Sequence, residues 1–186
     1  MKRLSVWIAA LALTCWALPA GAASVAVGVF GGASVPVAQE DNGSGSEFGI
    51  RVPVSVIPLV TVEPYFVKAN GGDKSEDLGN LSITRSGIDV TGYGANVLFT
   101  FGGPMQFYPF AGIGSHKLER PGLDATTTAY NLGIGLGFKP PIVKLSIHVR
   151  GELNAVLDEG TTESSRKWAS ITAGVSYGLL SFPPVP

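Results

Sequence analysis

The feature that most constrains this chain is Thr128 to Lys139, TAYNLGIGLGFK. Tyr130, Leu132, Ile134, Leu136 and Phe138 alternate with Asn131, Gly133, Gly135 and Gly137. A strict period of two places the two sets on opposite faces of a β-strand. One face is wholly apolar. The other is nearly bare, which weakens a strand unless something must approach it closely. A soluble, one-side-solvated strand would carry charged or polar side chains there. An apolar outside with a small or polar inside is the pattern of a narrow membrane barrel.

The same alternation recurs along the chain. Strands are predicted at about 24–33, 47–57, 59–68, 88–101, 106–115, 128–139, 142–155 and 168–182, with a bulge at Pro64, which has no ladder donor. Between them lie polar segments of turn-forming residues at 34–46, 69–87, 116–127 and 156–167. They alternate with short turns at Pro58, at Gly102-Gly103-Pro104-Met105 and at Pro140-Pro141. Long and short connections in strict alternation match the long outer loops and short periplasmic turns of bacterial outer-membrane barrels. The reading is all-β: one eight-stranded antiparallel up-and-down transmembrane β-barrel over residues 23–182. A soluble lipocalin-like barrel, the rival architecture, would need the apolar faces inside.

The chain is 45% hydrophobic with a mean hydropathy of +0.30. Beyond the first two dozen residues, however, it contains no apolar run long enough for a membrane helix. Residues 1–22 read as a secretory signal. Lys2 and Arg3 form its positive start, Leu4 to Leu18 its apolar stretch, and Ala20-Gly21-Ala22 a site for cleavage before Ala23. Thr14 and Ala12 do not suit lipidation of Cys15. Removing two of the 13 basic residues against 14 acidic ones takes the net charge from −1 to −3. It also removes the one cysteine, so disulfides and thiolate chemistry are excluded from the mature chain. Nothing in the charge balance forms a basic footprint for nucleic acid.

If odd-numbered strands rise and even ones descend, Phe99, Phe101, Phe107, Phe138 and Tyr177 converge on the apolar face at the short-turn end, as a periplasmic aromatic girdle would. Arg51, Glu63, Lys144, His148, Arg150 and Glu152 project to the opposite, luminal face. An eight-stranded barrel is just wide enough to be filled by side chains, and buried charges there must be paired. Arg150 and Glu152 lie two residues apart on one face, about 6.5–7 Å along the strand. Arg51 and Glu63 flank the Pro58 turn at similar heights. The four are expected to form a charge-balanced structural cluster; a gated ion path or a catalytic site is the sharper alternative. For nucleophilic chemistry the only local pair is Ser146 beside His148, and no catalytic, metal or cofactor residue is assigned. The glycine repeats lie inside strands with no helix behind them, so they are not phosphate loops. The acidic pairs Glu40-Asp41 and Glu76-Asp77, with Asp73, lack the spacing of a calcium loop.

YPFAGIGS at Tyr108 to Ser115, then AYNLGIGLGF, then HVRGELN at His148 to Asn154, resemble the small outer-membrane β-barrel family of the OmpA/OmpX type. The resemblance spans the whole mature chain and rests on the order of these motifs. It implies an eight-stranded barrel in the outer membrane of a Gram-negative-type bacterium, without cofactor, contacting lipid and lipopolysaccharide, assembled by the barrel-insertion machinery and acting as a monomer. Such chains usually end on an aromatic residue, whereas Phe182 is followed by the proline-rich tail 183–186. The lipid A deacylases resemble this size and fold but carry His-x-Ser, which neither His116-Lys117-Leu118 nor His148-Val149-Arg150 matches. The functional expectation is a non-enzymatic surface barrel whose loops serve envelope integrity or contact with the environment. A narrow pore or transport route for small molecules is the alternative, and a lipid A-modifying enzyme a weaker one.

Overall fold

A computed structural model describes residues 24–37, 43–77, 82–85, 87–121, 123–156 and 166–181. The signal segment 1–22, Phe182 and the tail 183–186 lie outside the described residues. Eight strands form the barrel: β1 (Ser24–Pro36), β2 (Gly43–Arg51, resuming as Val54–Ile57), β3 (Val60–Gly72), β4 (Asp89–Phe99, with a short extension Phe101–Gly102), β5 (Met105–Arg120), β6 (Leu123–Phe138), β7 (Leu145–Val156) and β8 (Arg166–Ser181). Each pairs antiparallel with the next. β1 closes the cylinder against β8, from Ser24 opposite Ser181 to Pro36 opposite Trp168. The barrel sheet has no open edge among the described residues, as a segment crossing hydrocarbon requires.

The alternation orients every wall. Outward on β6, Leu132, Ile134 and Leu136 are 62%, 58% and 57% exposed. Inward, Arg51, Glu63, Asn96, Asn131 and Arg150 are buried. This inside-out distribution excludes the lipocalin-like alternative, because an apolar belt of this extent in water would be a severe aggregation liability. It is the outer surface of a membrane barrel.

Phe99, Phe101, Phe107, Phe138 and Tyr177 all face outward, and cross-strand register holds them in one band at the short-turn end, with Phe101 opposite Phe107 and Phe138 opposite Met105. A second outward set, Phe48, Phe66, Tyr93 and Tyr130, occupies the other end; Phe66 pairs with Tyr93. Tyr93 lies six residues along β4 from Phe99, about 20 Å at the usual rise per residue. The two aromatic bands therefore flank the outward apolar residues on either side. Sequence analysis identified only the first band.

Four local expectations change. The segment 116–127 is not a loop: β5 and β6 continue as a hairpin to Arg120 and Leu123, and Lys117 stitches its exposed tip through Glu119 at 2.6 Å and Asp124 at 3.3 Å. Polar residues outside the membrane can extend a ladder as well as form a loop. Within 69–87, β3 runs on to Gly72 and a separate small hairpin pairs Lys74–Asp77 with Ser82–Arg85. β7 begins at Leu145 rather than Ile142, after a turn in which Ile142 is 96% exposed. Finally, β3 passes through Pro64 without a bulge, opposite Ala95. The irregularity falls instead in β2, at Val52-Pro53. The carbonyl of Pro64 accepts from the Val52 amide at 2.9 Å, and the side that lacks an N–H turns the same way, toward the interruption in β2.

The bare inner face of β6 has a specific reason. A Cβ at Gly135 would collide with the Tyr108 ring, which lies directly over it. Gly151, facing outward on β7, has open space at the corresponding point. Gly135→Val is therefore expected to cost about 1–3 kcal/mol by overpacking, read as a lower urea midpoint in lipid vesicles, whereas Gly151→Val should shift the midpoint little.

A candidate functional site in the lumen

The lumen is layered. Toward the long-connection end, Ala69, Ile88, Val90, Leu118, Ala129 and Val156 form an apolar cap, packed by Trp168. Below it lies a polar and charged middle layer. At the short-turn end the interior opens into a polar vestibule with a cavity of about 300 Å³.

The middle layer is organised by Glu63, which is fully buried. Arg150 donates from both terminal guanidinium nitrogens to its two carboxylate oxygens, at 2.5 and 2.6 Å. Asn96 donates to the same carboxylate at 3.3 Å, and the Arg51 Nε stands 3.8 Å away. Arg51 also lies 4.0 Å from Glu152 and stacks 3.6 Å above the Phe30 ring centroid. Asn131 links the halves, donating to Glu152 at 3.0 Å and to the Asn96 carbonyl oxygen at 2.7 Å. Arg150 Nε donates to the Tyr108 hydroxyl at 3.0 Å.

Arg51, Glu63, Arg150 and Glu152 thus share one layer, but not through the pairing read from the strand. Arg150 turns away from Glu152, its neighbour on β7, and engages Glu63 on the far wall. Side chains at i and i+2 of a strand stand side by side rather than head-on, while a narrow barrel brings opposite walls within reach of one Arg and one Glu. Sequence analysis passed over Glu47, Asn96, Tyr108 and Asn131. Glu47 is 5% exposed and faces the lumen, and it raises the layer to three carboxylates against two guanidiniums. Its spacing from Arg51, four residues on the same strand, is the signal that places it there.

The histidines occupy different layers. His116 is 1% exposed, beneath the apolar cap; its Nε2 is 3.4 Å from the Tyr65 hydroxyl and its ring lies 5.8 Å from Trp168. Gly92 leaves room for this ring. His148 faces the vestibule. Its hydrogen-bond partner is not Ser146 but Ser176 across the β7–β8 ladder, 2.6 Å from Nε2, while Nδ1 is 3.4 Å from the Tyr108 hydroxyl. The register sets Ser176 opposite Ser146, so the imidazole reaches diagonally to the next strand. Both rings point into the lumen, away from lipid.

Fold and lumen together define an eight-stranded antiparallel transmembrane β-barrel. No family model and no curated protein matches the sequence. Among solved structures the chain is similar to Neisserial surface protein A, at 15% identity and a TM-score of 0.55, over 84% of this chain and 98% of that one. It is also similar to the N-terminal β-barrel domain of Pseudomonas aeruginosa OprF, at 15% identity and a TM-score of 0.50, over 84% and 97%.

The arrangement makes Glu63 the pivot of the lumen. Glu63→Gln leaves Arg150 buried beside a neutral amide and is expected to cost about 3–5 kcal/mol. Glu152→Gln should cost less, since Glu152 stands 4.0 Å from Arg51 and makes no closer ion pair among the described residues. Glu63→Gln and Arg150→Met together should cost clearly less than their sum; urea unfolding in vesicles, run as a double-mutant cycle, measures the coupling. Additive effects would mean that the two groups do not act as a pair.

Proposed function

We propose that this chain is a non-enzymatic outer-membrane protein of a Gram-negative-type envelope. Its barrel anchors the long connections at the cell surface, where they support envelope integrity or contact the environment. The carrying observation is the lumen: its middle is filled by a hydrogen-bonded ionic layer with an apolar cap above. This leaves the outer surface and the surface connections as the parts free to act. In this reading the short turns face the periplasm, and the partners are outer-membrane lipid and lipopolysaccharide, with the insertion machinery needed during assembly and a monomer as the working state. A deletion strain is expected to show increased sensitivity to detergent and to large antibiotics. A barrel carrying shortened 69–87 and 156–167 connections should insert normally without restoring resistance. Full restoration by that shortened barrel would assign the role to the barrel wall.

A second reading, a gated narrow pore, is favoured by one observation. Glu63 stands between two guanidiniums, Arg150 in contact and Arg51 at 3.8 Å, so a shift of the carboxylate from one to the other would rearrange the constriction. Planar-bilayer recording separates the two readings. A plugged barrel gives no stable conductance steps; steps that change in frequency with Glu63→Gln would establish the pore.

A further inference from the structure

The vestibule at the short-turn end has a composition that the ionic layer above it does not explain. Its cavity of about 300 Å³ is lined by hydroxyl, amide and imidazole groups, among them Thr61, Thr100, Gln106, Ser146, His148 and Ser176. A wider recess of about 600 Å³ continues from it, sharing Gln106, Lys139 and Ser146 and adding Lys144 at the rim. These volumes fall in the general range of small-molecule sites, ~300–1,000 Å³.

The charges in this space are one-sided. Lys139 and Lys144 are exposed, and neither has an ion-pair partner among the described residues. Among the described residues, the only carboxylate lining either cavity is Glu63 at the vestibule floor, and both of its oxygens are taken by Arg150. A cation would therefore find no free carboxylate. A neutral polyol could pair with the hydroxyls and the Gln106 amide but would leave the two ammonium groups without a counter-charge. An anion with several acceptor oxygens meets two ammonium groups and a wall of donors, in a space bounded by low-dielectric barrel walls that strengthen such contacts.

We propose that this vestibule binds a small phosphate-bearing anion. Lys139 and Lys144 supply the charge, and Gln106, Ser146 and the His148–Ser176 pair supply directed hydrogen bonds. The chemistry is independent of the surface role proposed above. Only the source of the ligand, a free phosphate compound or the headgroup of a lipid in the adjacent leaflet, depends on the surroundings.

The chain's two histidines provide the test. Protein with isotope-labelled histidine, folded into nanodiscs of zwitterionic phosphatidylcholine, is titrated with inorganic phosphate at constant pH and ionic strength, and the imidazole resonances are followed. His148 is expected to shift saturably, while His116, sealed beneath the apolar cap, stays fixed and reports an intact barrel. Lys139→Gln with Lys144→Gln should weaken the binding by about tenfold or more, the usual scale for lost charge-assisted hydrogen bonds, with His116 unmoved. Absence of a saturable His148 shift through the millimolar range would overturn the proposal, as would an equal affinity in the double variant. Repeating the titration in nanodiscs containing phosphatidylglycerol identifies the source. If His148 begins at its shifted position and no longer responds to phosphate, the headgroup is the ligand; if it still titrates, the ligand is soluble.

Discussion

Hydrocarbon offers a peptide group no hydrogen-bond partner, and the whole structure follows from that constraint. An unpaired amide or carbonyl in the bilayer costs several kcal/mol, so a sheet that crosses it must close. Here the closure is made by β1 against β8 along thirteen residue pairs. Closing eight strands leaves an interior narrow enough that side chains from opposite walls meet. The outward faces are then free to be purely apolar, and the inward faces must settle their own polarity without bulk water.

The middle layer solves the second problem with a single cross-lumen contact and its supports. Glu63 and Arg150 belong to strands on opposite walls and meet in a two-point pair. A buried ion pair adds little net stability relative to a well-packed apolar core, because desolvation offsets the attraction. What it adds is specificity: neither group can be moved to another register without leaving a charge stranded. Asn96 and Tyr108 add hydrogen bonds to the pair, Asn131 ties Asn96 to Glu152, and Gly133 and Gly135 yield the space that the Phe110 and Tyr108 rings fill. The glycines that opened the sequence argument are therefore a packing complement to the aromatics on the neighbouring strand.

The same layering separates three environments within one narrow tube. The apolar cap lies at the long-connection end, the ionic layer fills the centre, and the vestibule at the short-turn end is open and polar. His116 and His148 illustrate the consequence. Each shares its barrel wall with similar neighbours, yet one is packed against Trp168 and the other bonded to Ser176 beside a cavity. Their chemical prospects differ because of depth along the barrel axis, not residue type.

The sequence by itself determined the class of fold, the strand number and the facing of nearly every residue. A period of two is a local property, legible from one strand at a time, and the faces it assigned on β6 and β7 are those observed. It did not determine where strands end outside the membrane, because polar residues such as those at 116–127 suit a loop and an extended ladder equally. Nor did it determine partners across the lumen. That Arg51, Glu63, Arg150 and Glu152 face inward follows from alternation. That Arg150 meets Glu63 rather than Glu152, that Glu47 joins the layer, and that His148 finds Ser176 rather than Ser146 depend on barrel diameter, strand tilt and register. Those quantities exist only once the sheet has closed on itself, and it is closure that brings residues 87 positions apart in the chain into contact.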